Sequence, residues 1–338
     1  MPPPRRTTIR EIAQACGVSV QTVSRVLNGR PDVAPATRAL IEATIASSDY
    51  RPSAAARSLV HGRSRMLGVV VAGLRYFGVT ETLNGIAEQA EAAGYGILLK
   101  EIDVDDRSAI GSVFDFLIGH GVEGIIYAAP EMATPAPALP SASPPVVSLK
   151  TAVASARVSV LIDNRGGARL ATDHLVRIGR TRIGLISGPV AWREARDREV
   201  GWRDALGAAS LEPGPIEIGD WTSAGGEAAM ARLLAADSPS DGVFVANDQM
   251  AIGALRAAHA RGVRVPHSVA VVGFDGLDEG AQAIPSLTTV AQPLRQLGEL
   301  GVTELLQTID REPGAGEPRT LVLGTKLVVR ESAPSVGG

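Results

Sequence analysis

Residues Thr8 to Asn28 read TIREIAQACGVSVQTVSRVLN, and the rest of the chain is best understood outward from them. Thr8 is placed to cap a helix with its hydroxyl, and Glu11, three residues on, can return to the Thr8 amide, which makes a capping box. Ile9, Ile12 and Ala13 fall at helical spacing and give that helix one apolar side. Cys16-Gly17-Val18 interrupts the pattern, and Gly17 can take the left-handed backbone of a sharp turn. Ser19 then caps a second helix, Val20 to Leu27, whose buried stripe is Val23, Val26 and Leu27. Its other side offers Val20, Gln21, Ser24 and Arg25. Gln can read adenine and Arg can read guanine through paired hydrogen bonds, so this helix suits the major groove of DNA. Thr8, Ser19, Val20, Gln21, Thr22, Ser24, Arg25 and Asn28 form the candidate DNA-binding set. A capped helical hairpin of this kind also occurs in proteins that bind no DNA.

Charge supports the DNA reading. The net charge is −3 over 338 residues, but residues 1–65 hold ten Arg against four Asp or Glu, or +6, which leaves −9 for the remainder. A basic head on an acidic body puts the phosphate-binding surface at the N-terminus. A chain of 338 residues exceeds what one core usually accommodates, and 45% hydrophobic with 4% aromatic content suits an Ala/Val/Leu-rich α/β protein. The single cysteine excludes an internal disulfide framework. Cys16 reads as a small, partly buried filler. MPPPRRTT has no apolar core for a signal peptide, and no uncharged apolar run approaches the ~20 residues that span a bilayer. The expected location is cytoplasmic, with no membrane partner.

Pro35 to about Ser47 reads as a third helix, weakly capped because Ala34 precedes it, with Leu40, Ile41 and Ile45 facing inward. In YRPSAAARSLVHGRS, residues 50–64, Pro52 and Ser53 can start a short helix, Ala54 to Ala56 favour it and Gly62 ends it. At about two turns it would be unstable alone. An ordinary flexible linker is the alternative.

From Met66 the pattern alternates strands and helices: MLGVVVAG, a helix from about Thr80 to Ala93, YGILLKEI, a helix near Arg107 to His120, GIIYAA, a Pro-rich loop and VVSLK. A second series runs from VSVLIDN through RIGLISG, PIEIGD and DGVFVAND to SVAVVGFDG, with helices at 166–178, 193–209, 223–235 and 249–261. Two α/β halves of doubly wound parallel sheet imply two lobes with a cleft between them. Ligands in such sheets lie beyond the carboxyl ends of the strands, which directs attention to Asp163, Asn164, Asn247, Asp248 and Asp275. Asn247 and Asp248 could equally cap the next helix. Trp221, in GDWTSAGG, sits on a loop where an indole face could stack on a sugar or simply pack. Arg75, Tyr76 and Phe77 follow the first strand and could line the cleft. No G-x-x-x-x-G-K-[ST] or metal-spaced His/Cys cluster is present and the five His are scattered, so no catalytic residue, metal or cofactor is expected.

The run TIREIAQACGVSVQTVSRVLNGRPDVAPATR resembles the headpiece of the LacI/GalR family of bacterial transcription regulators, and YRPSAAARSL resembles its hinge helix. The resemblance extends to about residue 330. It implies that the hinge forms on operator DNA, with Ala56 facing the partner helix and Leu59 wedged into the minor groove. It also implies two periplasmic-binding-protein-like lobes closing on an effector. Arg198 in EARDREVGW, Asn247 in VANDQMAIGAL and Asp275 in VVGFDG match the family's effector contacts. An Arg fork, an amide and a carboxylate suit a polyol. In lobe 1 Ala72, Val104 and Ala128 stand where lactose-type members of that family carry polar ligand contacts, which weakens any claim for a galactoside.

The domains expected are a helix-turn-helix headpiece at 1–48, a hinge at 49–64, an effector-binding and dimerisation region at 65–330 and a flexible tail at 331–338. Within that region, lobe 1 takes about 65–163 plus 292–320 and lobe 2 about 164–291 plus 321–330. One headpiece reads only a half-site, so the partner set is operator DNA, a sugar-like effector and a second copy of the chain. The lobe 1 helices near Ile86 and Val113 are the candidate dimer face. The function expected is a repressor released by a small carbohydrate. The alternatives are a corepressor-type regulator that takes a purine or phosphorylated sugar, and a solute-binding protein or enzyme on the same fold.

Overall fold

The computed structural model describes residues 7–27, 29–50, 63–103, 109–130, 144–153, 156–311 and 317–335. Asn28, Ala56, Leu59 and Val104 lie outside these residues. The chain divides into two units, Met1–Arg65 and Met66–Gly338.

The first unit is a three-helix cluster. Helix α1 (Ile9–Ala15) opens on the capping box: Glu11 N donates to Thr8 Oγ1 at 3.3 Å and Thr8 N to Glu11 Oε2 at 2.7 Å. Gly17, at φ 65°, makes the turn. Helix α2 (Val20–Leu27) is capped by Ser19, whose Oγ accepts from Thr22 N at 3.1 Å. Helix α3 (Pro35–Ala46) has no side-chain cap at Ala34. Ile12, Ala13, Val23, Val26 and Ile41 are buried together, and Cys16 fills the same core with Sγ 3.2 Å from Thr44 Oγ1. Leu40 does not face inward. It is 50% exposed, because Ile41 takes the buried position and the neighbouring residue lies about 100° around the helix.

The second unit holds two six-stranded sheets. The first contains β1 (Met66–Ala72), β2 (Gly96–Ile102), β3 (Gly124–Ala128), β4 (Val146–Leu149), β5 (Val158–Ile162) and β11 (Arg319–Leu323), in the order β11-β5-β4-β3-β1-β2. The second contains β6 (Ile183–Ser187), β7 (Ile216–Ile218), β8 (Gly242–Val245), β9 (Ala270–Asp275), β10 (Thr288–Ala291) and β12 (Lys326–Val328), in the order β12-β10-β9-β8-β6-β7. The pairings are parallel except that of β10 with β12. β1, β3 and β4 in the first sheet and β6, β8 and β9 in the second are almost wholly buried, as parallel strands covered on both faces must be. The covering helices are α4 (Phe77–Ala92), α5 (Ile110–Gly119) and α11 (Leu294–Ile309) in lobe 1. Lobe 2 has α6 (Asn164–Arg177), α7 (Arg193–Ala208), α8 (Ser223–Ala235), α9 (Asp248–Ala260) and the single turn α10 (Asp278–Ala281).

Four expectations change. Helix α4 begins at Phe77 rather than Thr80, with Tyr76 as its N-cap residue, so both aromatics stand at the helix mouth. Residues 321–323, expected in lobe 2, belong to β11 and pair with β5, because the chain leaves lobe 1 only after Leu323. The tail is docked as far as it is described. Ser332 and Ala333 are fully buried; Ser332 Oγ accepts from Thr288 N at 2.8 Å and donates to Val271 O at 2.6 Å, and His174 Nε2 lies 2.7 Å from Ala333 O. Satisfied backbone groups and two buried side chains replace the expected freedom of residues 331–335. Ile86 itself packs in the lobe 1 core, so it marks the inner side of α4 rather than the candidate dimer face of that helix.

Candidate ligand cleft and DNA-facing helix

The strand-end rule selects one place in the second unit. Tyr76 follows β1, Lys150 follows β4, Asn164 follows β5, Asn247 follows β8, Asp275 ends β9 and Gln292 follows β10, and all six line one cleft. Phe77, Trp192, Glu194, Arg198, Trp221 and Gln249 complete much of its wall.

Arg198 is the centre of the lobe 2 wall. It projects from α7 and is 5% exposed. Its Nε donates to Asn164 Oδ1 at 2.8 Å, its Nη1 donates to Ala246 O, and Asp275 Oδ1 lies 3.6 Å from Nη1. The guanidinium also stacks 3.9 Å from the Phe274 ring centre. No protein acceptor for Nη2 is present among the described residues. Burial and hydrogen bonding to a rigid frame fix the fork in one orientation.

Asp275 is held by Gln292, whose Nε2 donates to Oδ1 at 2.6 Å. Burial lifts its carboxyl to about 7, with Arg198 pulling the other way. Asp248 acts behind it. Its Oδ2 accepts from Gly276 N at 2.9 Å and Leu277 N at 2.7 Å, and its Oδ1 accepts from Thr289 Oγ1 at 2.6 Å. Asp248 is therefore a strut for the turn that carries Asp275, not a cleft residue. Asp163 caps α6 through Gly166 N at 2.7 Å. Asn247 caps α9, with Oδ1 accepting from Met250 N, and also lines the cleft, where its Nδ2 donates to Trp221 O at 3.1 Å and Gln249 Oε1 at 3.0 Å.

The aromatic edge runs from lobe to lobe. Tyr76 meets Trp192 edge-on at 5.1 Å between ring centres, and Trp192 meets Trp221 edge-on at 5.8 Å. Trp221 Nε1 is buried with no hydrogen-bond partner among the described residues. The indole sits against Gly188, where a Cβ would come within 2.1 Å of its ring. Arg75 stacks on the outer side of Tyr76 rather than lining the cleft. Ala72 and Ala128 are buried in the sheet and take no part.

Lys150, Trp221 and Asp275 have left-handed φ values of 68°, 70° and 126°, against two other non-glycine residues with positive φ among those described. Such backbone costs about 1–3 kcal/mol per residue and persists where the surroundings over-determine it. Three residues of strained backbone whose side chains line one cleft mark it as a built site.

Of the residues named from sequence for the cleft, Tyr76, Phe77, Asn164, Arg198, Trp221, Asn247 and Asp275 lie on this wall, whereas Arg75, Asp163 and Asp248 do not. Lys150, Trp192, Glu194, Gln249 and Gln292 were missed. Lys150 and Gln292 directly follow strands, so applying the strand-end rule to every strand would have found them. Trp192 and Glu194 lie in and after the loop following β6, where no local pattern points inward.

In the first unit Ser19, Val20, Gln21 and Arg25 are exposed on one side of α2, with Thr22 and Ser24 half-buried. Arg25 lies 3.6 Å from Asp32 in an exposed pair that water can readily open. Thr8 is exposed but occupied in its capping box. Among the described residues no cluster of three or more His, Cys, Asp or Glu could hold a metal, and no helix is long and apolar enough to cross a membrane.

Residues 8–53 match the model of the bacterial regulatory proteins, lacI family, and residues 172–333 match that of a periplasmic binding protein-like domain. The chain is 32% identical over 302 residues to the lactose operon repressor of Escherichia coli K12, covering 89% of this chain and 84% of that one. It is 36% identical over 344 residues to the HTH-type transcriptional regulator CelR of Thermobifida fusca, covering 97% and 98%. Among solved structures, the lac repressor dimer bound to operator and the anti-inducer ONPF superposes with TM-score 0.87 at 29% identity, over 98% of this chain and 100% of that one. A CelR–cellobiose complex gives TM-score 0.70 at 32% identity, over 97% and 100%.

Proposed function

The chain belongs to the LacI family of bacterial regulatory proteins, and from that premise we propose that it is a repressor that binds a palindromic operator as a homodimer and is released by a small carbohydrate held between its lobes. As a family member it is a DNA-binding transcription regulator. The relatives are transcriptional regulators, and we read this chain likewise as non-catalytic and cytoplasmic.

Helix α2 enters the major groove in this reading, with Gln21 and Arg25 toward base edges and Ser19, Thr22 and Ser24 toward phosphates. Thr8 and Asn28 complete the phosphate contacts, and Ala56 and Leu59 keep the hinge roles expected from sequence. Leu59→Ala then lowers affinity for the selected operator more than for random DNA. Equal losses on both would remove the wedge.

One observation carries the effector reading. The buried Arg198 fork is held by Asn164, Ala246 O and Asp275 beside the aromatic edge of Tyr76, Trp192 and Trp221. A fixed donor set beside apolar ring faces matches a sugar, whose hydroxyls lie around a ring with apolar faces. The relatives' names support the same class: lactose and ribose repressors and a cellobiose complex. A ligand that prefers one arrangement of the lobes shifts the population toward it, and DNA affinity follows.

The test is operator binding on a palindrome selected from random DNA, titrated with cellobiose, lactose, ribose, glucose 6-phosphate, glucuronate, glucosamine and purines. Release by a neutral sugar supports the proposal. A purine or sugar phosphate that tightens binding replaces it with corepression.

A further inference from the structure

The cleft holds four ionisable side chains, and they differ in how they are satisfied. Arg198 and Asp275 belong to one lobe and are locked to each other and to neutral partners. Lys150 and Glu194 belong to different lobes. Lys150 Nζ donates to Gly78 O at 2.8 Å in the first turn of α4. Glu194, in the first turn of α7, has a buried Oε2 with no hydrogen-bond partner among the described residues, so the ammonium does not reach it. The two charges nevertheless feel each other. Burial lowers Lys150 to about 8 and raises Glu194, and each is partly restored by the other's field.

A buried carboxylate oxygen without a donor is costly and calls for one. An ammonium with three donors and one protein acceptor has hydrogens to spare. A hydroxyl lodged between them accepts from the ammonium and donates to the carboxylate, which no carbon-bound hydrogen can do. When all four are ionised the charges of the cleft cancel, two cations against two anions, and an extra phosphate or ammonium on the ligand then finds no surplus countercharge. The strained backbone of Lys150, at φ 68°, marks its inward placement as imposed by the fold.

We propose that Lys150 and Glu194 are specificity-determining residues that read a sugar hydroxyl across the cleft and restrict the effector to uncharged saccharides. This rests on the carbohydrate reading of the cleft given above. It excludes sugar phosphates and uronic acids as effectors, and it makes the contact between lobes depend on the ligand rather than on a direct ion pair.

The experiment is calorimetric titration of the full-length protein and three variants, Glu194→Gln, Lys150→Met and Glu194→Asp, with the sugars named above. Thermal melts confirm that each variant is folded. The wild type is expected to bind a neutral sugar at least about tenfold more tightly than glucuronate, glucose 6-phosphate or glucosamine. Glu194→Gln leaves a surplus positive charge, so it weakens the neutral sugar and shifts preference toward glucuronate. Lys150→Met shifts preference toward glucosamine. Glu194→Asp shortens the reach but keeps the charge, so it weakens binding without a shift. That separates charge reading from packing. If Glu194→Gln or Lys150→Met keeps the wild-type preference, or if the wild type prefers a charged sugar, this inference falls while the carbohydrate reading stands. A wild type that binds none of the sugars overturns both.

Discussion

The two lobes share one topology and contribute different chemistry. Each sheet has its first strand second in the order and grows outward from there, and each brings its strand ends to the cleft. Lobe 1 supplies mostly apolar surface, Tyr76, Phe77, Val79 and Ile162, with the single cation Lys150. Lobe 2 supplies a pre-organised network that leaves a few polar atoms free among the described residues: Arg198 on Asn164 and Ala246 O, Gln292 on Asp275, Asp248 under the turn, Asn247 on the Trp221 carbonyl. Topology therefore fixes where ligand can bind, and side chains decide what binds. A pre-organised wall in one lobe and an apolar cover from the other suit a ligand that first docks on lobe 2 and is then enclosed.

The largest effect tests the pre-organisation of the lobe 2 network. Arg198→Ala removes the fork and leaves Asp275 without its countercharge; ligand affinity is expected to fall by about 100-fold or more, roughly 3 kcal/mol, with operator binding retained. Gel-shift titration with and without sugar reads both. Loss of operator binding would mean that Arg198 serves the fold rather than the ligand.

Asp275→Asn separates function from stability in the same lobe. Burial lifts this carboxyl from 3.8 to about 7, so the folded chain holds the proton more tightly than the unfolded chain. Its ionisation therefore costs stability as pH rises from about 4 to 7. The variant is expected to weaken sugar binding about tenfold. Its melting temperature should gain on the wild type by a few degrees between pH 4 and pH 8. A pH-independent difference would detach Asp275 from this balance.

Gly188→Ala probes the indole. A Cβ there meets the Trp221 ring at 2.1 Å, so the ring must shift. Sugar affinity is expected to drop severalfold, with a changed tryptophan fluorescence spectrum and a folded chain. An unaltered spectrum would show that the loop absorbs the methyl group. Tyr76→Leu, on the lobe 1 side, removes one edge-on contact worth about 0.5–1.5 kcal/mol, so affinity should fall by no more than about tenfold. A loss equal to that of Arg198→Ala would reverse the assignment of the lobes.

The headpiece was readable because its determinants are local. Thr8 with Glu11, Gly17 at the turn and Ser19 before α2 each act within a few residues, and the structure places their hydrogen bonds accordingly. Leu40 misled because it and its neighbour Ile41 point about 100° apart on the helix, and Ile41 takes the buried position. The cleft was only half readable. Asn164, Asn247 and Asp275 sit at strand ends that the apolar runs reveal, whereas Trp192 and Glu194 lie near a loop with no period to read. The tail misled for a related reason: ESAPS carries no periodicity, yet Ser332 finds its partners in β9 and at Thr288, more than forty residues away.

Sequence by itself determined what short-range physics enforces: the capped helical hairpin with its polar reading side, the alternation of buried strands and helices, and the basic head on an acidic body. Only the tertiary structure decided which distant residues meet: Lys150 opposite Glu194, Gln292 on Asp275, Asp248 beneath the turn it braces, Trp221 against Gly188. Helical period and capping act over one turn and leave a pattern in the chain. The cleft depends on the meeting of strand ends from two sheets and on strained backbone that only a finished fold can hold, so its chemistry leaves little pattern to read.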